Sequence, residues 1–271
     1  MRTALLTAAQ ALVWAAAPVL LVQGRRVRRT ALTLPPARGT RGTAPGTGAA
    51  EGAGGPEPLR LLVLGDSSAA GVGVDSLADG VPGRVAAELA AATGRAVEWR
   101  AAARSGADSA RVAGALLPAA AREAGAAWRP DLVLVVVGVN DITRMTSGRA
   151  FARNAAAIAG GVRARWPRAA TAFSALPPLE RFPALPWPLR PLLGLRSRYL
   201  DARLRAVLAR LPGADHAAFP RSALSGPELF SADGFHPGAE GYRRWAGHLA
   251  ARLRNSLDTS GRATDSVTRP L

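Results

Sequence analysis

The sequence predicts an α/β fold: a three-layer α/β/α sandwich on a five-stranded parallel sheet. Two observations carry this. Short apolar runs of strand length alternate five times with segments that repeat apolar residues at helical spacing, between Leu59 and Arg254. The clearest run, Leu132-Val133-Leu134-Val135-Val136-Val137, has no polar position, as expected of a strand buried on both faces. Such alternation implies parallel strands joined by right-handed crossovers, with helices covering both sides.

In chain order, residues 1–24 stand apart from this pattern. Ala4 to Val22 is apolar except for Thr7 and Gln10, and Arg25-Arg26-Val27-Arg28-Arg29 follows it. At about 1.5 Å per residue, one helix of that length matches the hydrocarbon thickness of a bilayer. An uncleaved membrane anchor is the expectation. The alternative is a secretory signal peptide cut near Ala15-Ala16-Ala17, against which Pro18 and the apolar residues after it argue. The basic cluster favours a cytoplasmic domain by the positive-inside rule and suits anionic headgroups, whereas a signal peptide would place the domain outside. Residues 25–58 are basic, then rich in Pro, Gly, Ala and Thr without periodicity, which reads as a linker.

The folded domain is expected over 59–254. Its strands are Leu59 to Leu64, Val97 to Ala101, Leu132 to Val137, Ala169 to Ser174 and Asp215 to Phe219. Between and after them lie helices over Pro82 to Ala92, Ser109 to Ala127, a stretch with Phe151, Ala155, Ile158, Val162 and Trp166 on one face, Arg196 to Leu211, and Ala239 to Arg254. The polar tail 255–271 is expected to be disordered.

Composition narrows the chemistry. Cysteine is absent, which excludes disulfides, thiolate metal sites and a cysteine nucleophile. The formal charge of +16 comes entirely from Arg, scattered without stacking aromatics or a nucleic-acid motif, so no nucleic-acid partner is expected. Neither a metal nor a cofactor is implied. A monomer is expected.

Candidate site residues follow strand ends, where ligands collect in parallel sheets. The first strand ends in Gly65-Asp66-Ser67 and the third in Gly138-Val139-Asn140-Asp141; the second leads to Arg104-Ser105-Gly106-Ala107. The last loop before the closing helix reads Ser231-Ala232-Asp233-Gly234-Phe235-His236-Pro237. Taken singly, each has a plainer reading: Asp66 or Ser67 as a helix cap, Asn140 as a turn residue, Asp233-Gly234 as a turn.

Together these blocks resemble the SGNH, or GDSL, hydrolase superfamily, whose signature Ser, Gly, Asn and His fall in order on Ser67, Gly106, Asn140 and His236. The Gly106 block departs most, because Ala103-Arg104-Ser105 stand where an Asn often precedes the glycine. The resemblance runs from Leu59 to Leu253 and implies a flavodoxin-like hydrolase of carboxylic esters. His236 would take the Ser67 proton, Asp233 would fix its tautomer, and the Ser67 and Gly106 N–H groups with the Asn140 amide would form an oxyanion hole. Asp66 and Asp141 are expected to bond loop backbone; His216 and His248 are assigned no catalytic part.

Rival readings fail on particular residues. Gly71-Val72-Gly73 lacks the third glycine of a dinucleotide loop, since Ser76 stands there, and a P-loop needs the lysine this chain lacks. An α/β-hydrolase would carry Gly-x-Ser-x-Gly, but Ala69 replaces its second glycine. The apolar loop from Leu176 to Leu195 suits either an acyl groove or packing on its own body. A small-molecule or lipid-like acyl ester is the expected substrate; acyl transfer, and a membrane-tethered acyl-binding domain without turnover, are the alternatives.

Overall fold

The computed structural model describes residues 2–30, 32–47, 56–219 and 226–265. Its strands are β1 (Arg41–Ala44), β2 (Leu59–Gly65), β3 (Val97–Ala103), β4 (Leu132–Val136), β5 (Ala170–Ser174) and β6 (Ala214–Ala217). The helices are α1 (Arg2–Ala15), α2 (Ala17–Thr30), α3 (Val81–Thr93), α4 (Ser109–Arg111), α5 (Leu117–Ala124), α6 (Val139–Thr143), α7 (Gly148–Arg165), α8 (Leu189–Leu208) and α9 (Ala239–Asp265). A π-helical turn, Val112–Leu116, joins α4 to α5.

The sheet order is β1-β3-β2-β4-β5-β6, and β2 to β6 are mutually parallel, as the alternating pattern requires. Leu61 of β2 sits between Trp99 of β3 and Leu132 of β4, so the strand ending in Ser67 is central. Side chains alternate along β2. Leu62 and Leu64 enter a core with Phe151 and Ile158 of α7 and Leu200 and Leu204 of α8. Leu61 and Val63 enter the opposite core with Val85 and Leu89 of α3 and Tyr242, Trp245 and Leu249 of α9. Each such aliphatic side chain removed from water contributes roughly 1.5–3 kcal/mol, which is why Leu61 to Leu64 of β2 and all of β4 are aliphatic.

Three expectations need correction. The sheet has six strands and is mixed, because Arg41–Ala44, inside the stretch read as linker, pairs antiparallel with β3. Hydrophobic alternation cannot reveal this strand. It is held by backbone bonds, and it passes over Trp99 so closely that a Cβ on Gly42 would stand 2.6 Å from the ring. Just before it, Ala37 N–H donates to Ala70 O (3.0 Å) and Arg38 N–H to Asp75 O (2.9 Å). Residues 48–55 of the linker lie outside the described residues.

Secondly, α9 continues past Arg254 to Asp265 where a disordered tail was expected. Asp215 of β6 accepts from both Arg252 and the Ser256 hydroxyl, which ties the extra turns to the sheet. Residues 266–271 lie outside the described residues.

Thirdly, the apolar N-terminal run is two helices bent by 66°, not one. Among the described residues no single helix is long and apolar enough to cross a membrane, although the bent pair meets the length and composition requirement. At about 1.5 Å per residue the 14 residues of α1 fall well short of a bilayer core. Val13 and Leu20 are buried in the same core as α8, so the segment packs on the domain.

Candidate active site

Gly65 ends β2 where the backbone runs so close to β4 that a Cβ would stand 2.1 Å from Val136 O; no other residue fits. The next residue, Asp66, is buried, and its Oδ1 accepts the Ser68 N–H at 3.0 Å. Ala70 N–H donates to Asp66 O and Val72 N–H to Ser67 O, both at 3.0 Å, which closes the turn around the serine. Asp66 thus caps the turn and leaves the Ser67 hydroxyl unclaimed by it. Burial pushes the Asp66 carboxyl up to about 7 against the opposing Ser68 N–H bond.

The Ser67 hydroxyl meets His236. Ser67 Oγ lies 2.8 Å from His236 Nε2, and His236 Nδ1 lies 2.6 Å from Asp233 Oδ2. The short loop builds its own carboxylate receptor: Asp233 Oδ1 accepts the Ser231 hydroxyl (2.8 Å) and the N–H groups of Phe235 and His236 (both 2.9 Å). Burial pushes the Asp233 carboxyl up, but the His236 side chain and these donors together hold it well below the usual carboxylate range. An ionised Asp233 only accepts, which assigns the proton to His236 Nδ1 and leaves the Nε2 lone pair facing the serine.

A second cluster joins the other two loops. Ala107 N–H donates to Arg104 O (3.0 Å), closing a turn with Gly106 at φ 78°, the left-handed position a type II turn reserves for glycine. Asn140, in α6, donates one amide N–H to Ala107 O (2.9 Å) and keeps a second. Its neighbour Asp141 is buried and accepts the Ser109 N–H (2.8 Å) and hydroxyl (2.7 Å). Arg144 and Asp108 pair at 2.7 Å across the same two loops. Behind them, Arg196 of α8 is buried; its Nε donates to Ile142 O (3.2 Å) and another guanidinium N–H to Thr146 O.

Beside Ser67 and His236 opens a cleft of about 490 Å³, walled by Pro177, Phe182, Phe219, Phe235 and Trp245. Gly106 and Asn140 are not in its lining. The apolar loop from Leu176 is divided. Leu179, Leu185, Leu189 and Leu193 pack inward, Pro177 and Phe182 face the cleft, and Trp187 is 77% exposed. His216 instead bonds Asp201 through Nε2 at 2.8 Å, and His248 is exposed on α9. Among the described residues no group of three or more His, Asp or Glu is placed to hold a metal ion.

With a serine at the central strand end, bonded to a histidine and aspartate on one late loop, the arrangement can be set beside known proteins. The model of the GDSL-like lipase/acylhydrolase family matches residues 63–244. The chain belongs to this family. A GDSL-like esterase of Mycobacterium tuberculosis is 32% identical over 210 residues, covering 74% of this chain and 64% of that relative's length. This GDSL chain therefore spans less than two thirds of that relative. The crystal structure of TesA aligns with a TM-score of 0.57 at 26% identity, over 73% of this chain and 99% of that one. The psychrotrophic esterase EstA from Pseudoalteromonas sp. aligns with a TM-score of 0.56 at 18% identity, over 73% and 98% of the two chains, a likeness of fold.

All five residues anticipated for the site fall into these two clusters. Ser67, Asp233 and His236 form one hydrogen-bonded chain; Gly106 and Asn140 form the other, bridged through Ala107. Four further residues were not singled out. Ser231 shares the late loop with Asp233, so proximity was its signal. Ser109, Arg144 and Arg196 are recognisable only from their partners in space.

Proposed function

We propose that this chain is a serine esterase that cleaves carboxylic esters through an acyl-enzyme. The observation that carries the reading is the continuous chain from Ser67 Oγ through His236 to Asp233, at 2.8 and 2.6 Å, with the histidine lone pair directed at the serine. A serine hydroxyl is a weak nucleophile until a base takes its proton. Ser67 Oγ attacks the ester carbon while His236 Nε2 accepts the proton; the imidazolium is stabilised by Asp233. The carbonyl oxygen becomes an oxyanion facing the Ser67 and Gly106 N–H groups and the remaining Asn140 amide N–H. Collapse expels the alcohol, which takes the proton from His236, and leaves the acyl group on Ser67. Water then repeats the sequence and releases the acid. No cofactor enters any step.

The acyl group of a small-molecule or lipid-like ester would lie in the aromatic cleft, whose apolar walls adjoin Ser67 and His236. The N-terminal segment associates with a membrane. A fluorophosphonate probe tests the reading without knowledge of the substrate. It is expected to label the protein on the peptide containing Ser67; labelling elsewhere, or none, would overturn it.

A further inference from the structure

Among the described residues seven large apolar side chains are exposed, and they are not scattered. Six lie between Leu5 and Leu32; the seventh is Trp187, in the loop that also supplies Phe182 to the cleft. Gln23 of α2 donates to the backbone carbonyl of Trp187 at 3.2 Å, so this distant residue adjoins the N-terminal helices. No charged residue occurs from Leu5 to Val22, and the outward side of α1 shows Leu5, Ala8, Ala11 and Leu12 to solvent together with Thr7, while the exposed Trp14 ring lies 5.9 Å from the Arg196 guanidinium. The inward side is committed to the domain: Val13 is fully buried, and Gln10 Oε1 accepts from the buried Arg196 at 3.4 Å. Immediately after the apolar stretch, α2 exposes Arg25, Arg26 and Arg29.

We infer that α1, α2 and Trp187 form one face that seats in the plane of an anionic lipid surface while the helix pair stays docked on α8. This rests on the membrane reading of the N-terminal segment given above, and is independent of the esterase chemistry. An apolar exposed face closed by cations at one end fits acyl chains bordered by anionic headgroups. A helix pair that left α8 to cross the bilayer would carry the Gln10 amide into hydrocarbon without the Arg196 partner it has on the domain. Seating Trp187 also places the loop that forms the cleft wall at the lipid boundary, where aromatic residues with a polar edge are favoured.

The absence of cysteine permits single-site labelling. Leu12→Cys, Trp187→Cys and Glu88→Cys, the last on α3 across the sheet, are each labelled in the full chain with a polarity-sensitive dye. Vesicles of equal parts phosphatidylglycerol and phosphatidylcholine are then added. Dyes at positions 12 and 187 are expected to brighten severalfold and the dye at 88 to stay unchanged. Replacing Arg25, Arg26 and Arg29 by Gln is expected to shift half-binding to severalfold more lipid. Brightening at 12 without 187 would mean that the helices insert away from the domain, and would overturn the inference. So would brightening that follows protein concentration without vesicles, which would mark a contact between two copies, or no brightening at all. Fluorophosphonate labelling of the same samples reports on Ser67 separately, so failure of one reading is distinct from failure of the other.

Discussion

The carboxylate of Asp141 takes both the N–H and the hydroxyl of Ser109, at 2.8 and 2.7 Å, in a fully buried contact. This pair latches the loop bearing Asn140 to the loop bearing Gly106. Ser109→Ala leaves one oxygen of a buried carboxylate without its donor and removes the acceptor of the Asn154 amide, 3.0 Å away. Losing a hydrogen bond to a charged group costs about 1.5–3 kcal/mol, so the thermal midpoint is expected to fall measurably. If the latch aligns oxyanion donors, kcat falls while KM on a p-nitrophenyl ester stays near wild type. An unchanged kcat in a destabilised protein would make the pair structural only.

Asn140 donates one amide N–H to Ala107 O and carries a second, the one proposed above to face the oxyanion. Asn140→Ala is expected to lower kcat by about 10²–10³, the usual cost of removing an oxyanion donor. Steady-state kinetics on the same ester measure it. A change of only a fewfold would reduce Asn140 to a loop residue.

Burial raises the Asp66 carboxyl to about 7 from an unfolded value of 3.8. A raised acid binds its proton more tightly in the folded state, so its stabilising contribution is complete below the unfolded value and is lost as pH rises toward 7. Folding stability is therefore expected to decline between about pH 4 and pH 7, by roughly 4 kcal/mol at most. Asp66→Asn keeps an acceptor for the Ser68 N–H and removes the titration. Urea unfolding across that range is expected to show the decline in wild type and its absence in the variant.

How much of this was legible in the sequence depends on the kind of signal involved. Branched apolar runs such as Leu132 to Val136 mark buried strands on their own, and the loops holding Ser67, Asn140 and His236 follow directly from where those strands and the last helix fall. The edge strand Arg41–Ala44 carries no such pattern, because backbone pairing and a glycine over Trp99 hold it. The bend at Ala16 was hidden for the opposite reason. The run from Ala4 to Val22, apolar but for Thr7 and Gln10, looks the same whether the helix is straight or broken, and only the packing of Val13 and Leu20 against α8 reveals the fold of that segment. Asp233 was readable from its spacing to His236. Arg196 was not, since an arginine in an arginine-rich chain signals nothing until its guanidinium is found buried between Gln10, Ile142 and Thr146.

The proposed chemistry requires Ser67 as the nucleophile. Removing its hydroxyl leaves Asp233, His236 and the amide donors in place, so fold and cleft are retained while the acyl-enzyme cannot form. The most direct measurement is kcat/KM for p-nitrophenyl esters of increasing acyl length, wild type beside Ser67→Ala, with thermal unfolding to show that both are folded. Wild-type turnover with a clear preference in acyl length, and loss of at least about 10³ in the variant, is the expected result. A folded Ser67→Ala protein as active as wild type would contradict it.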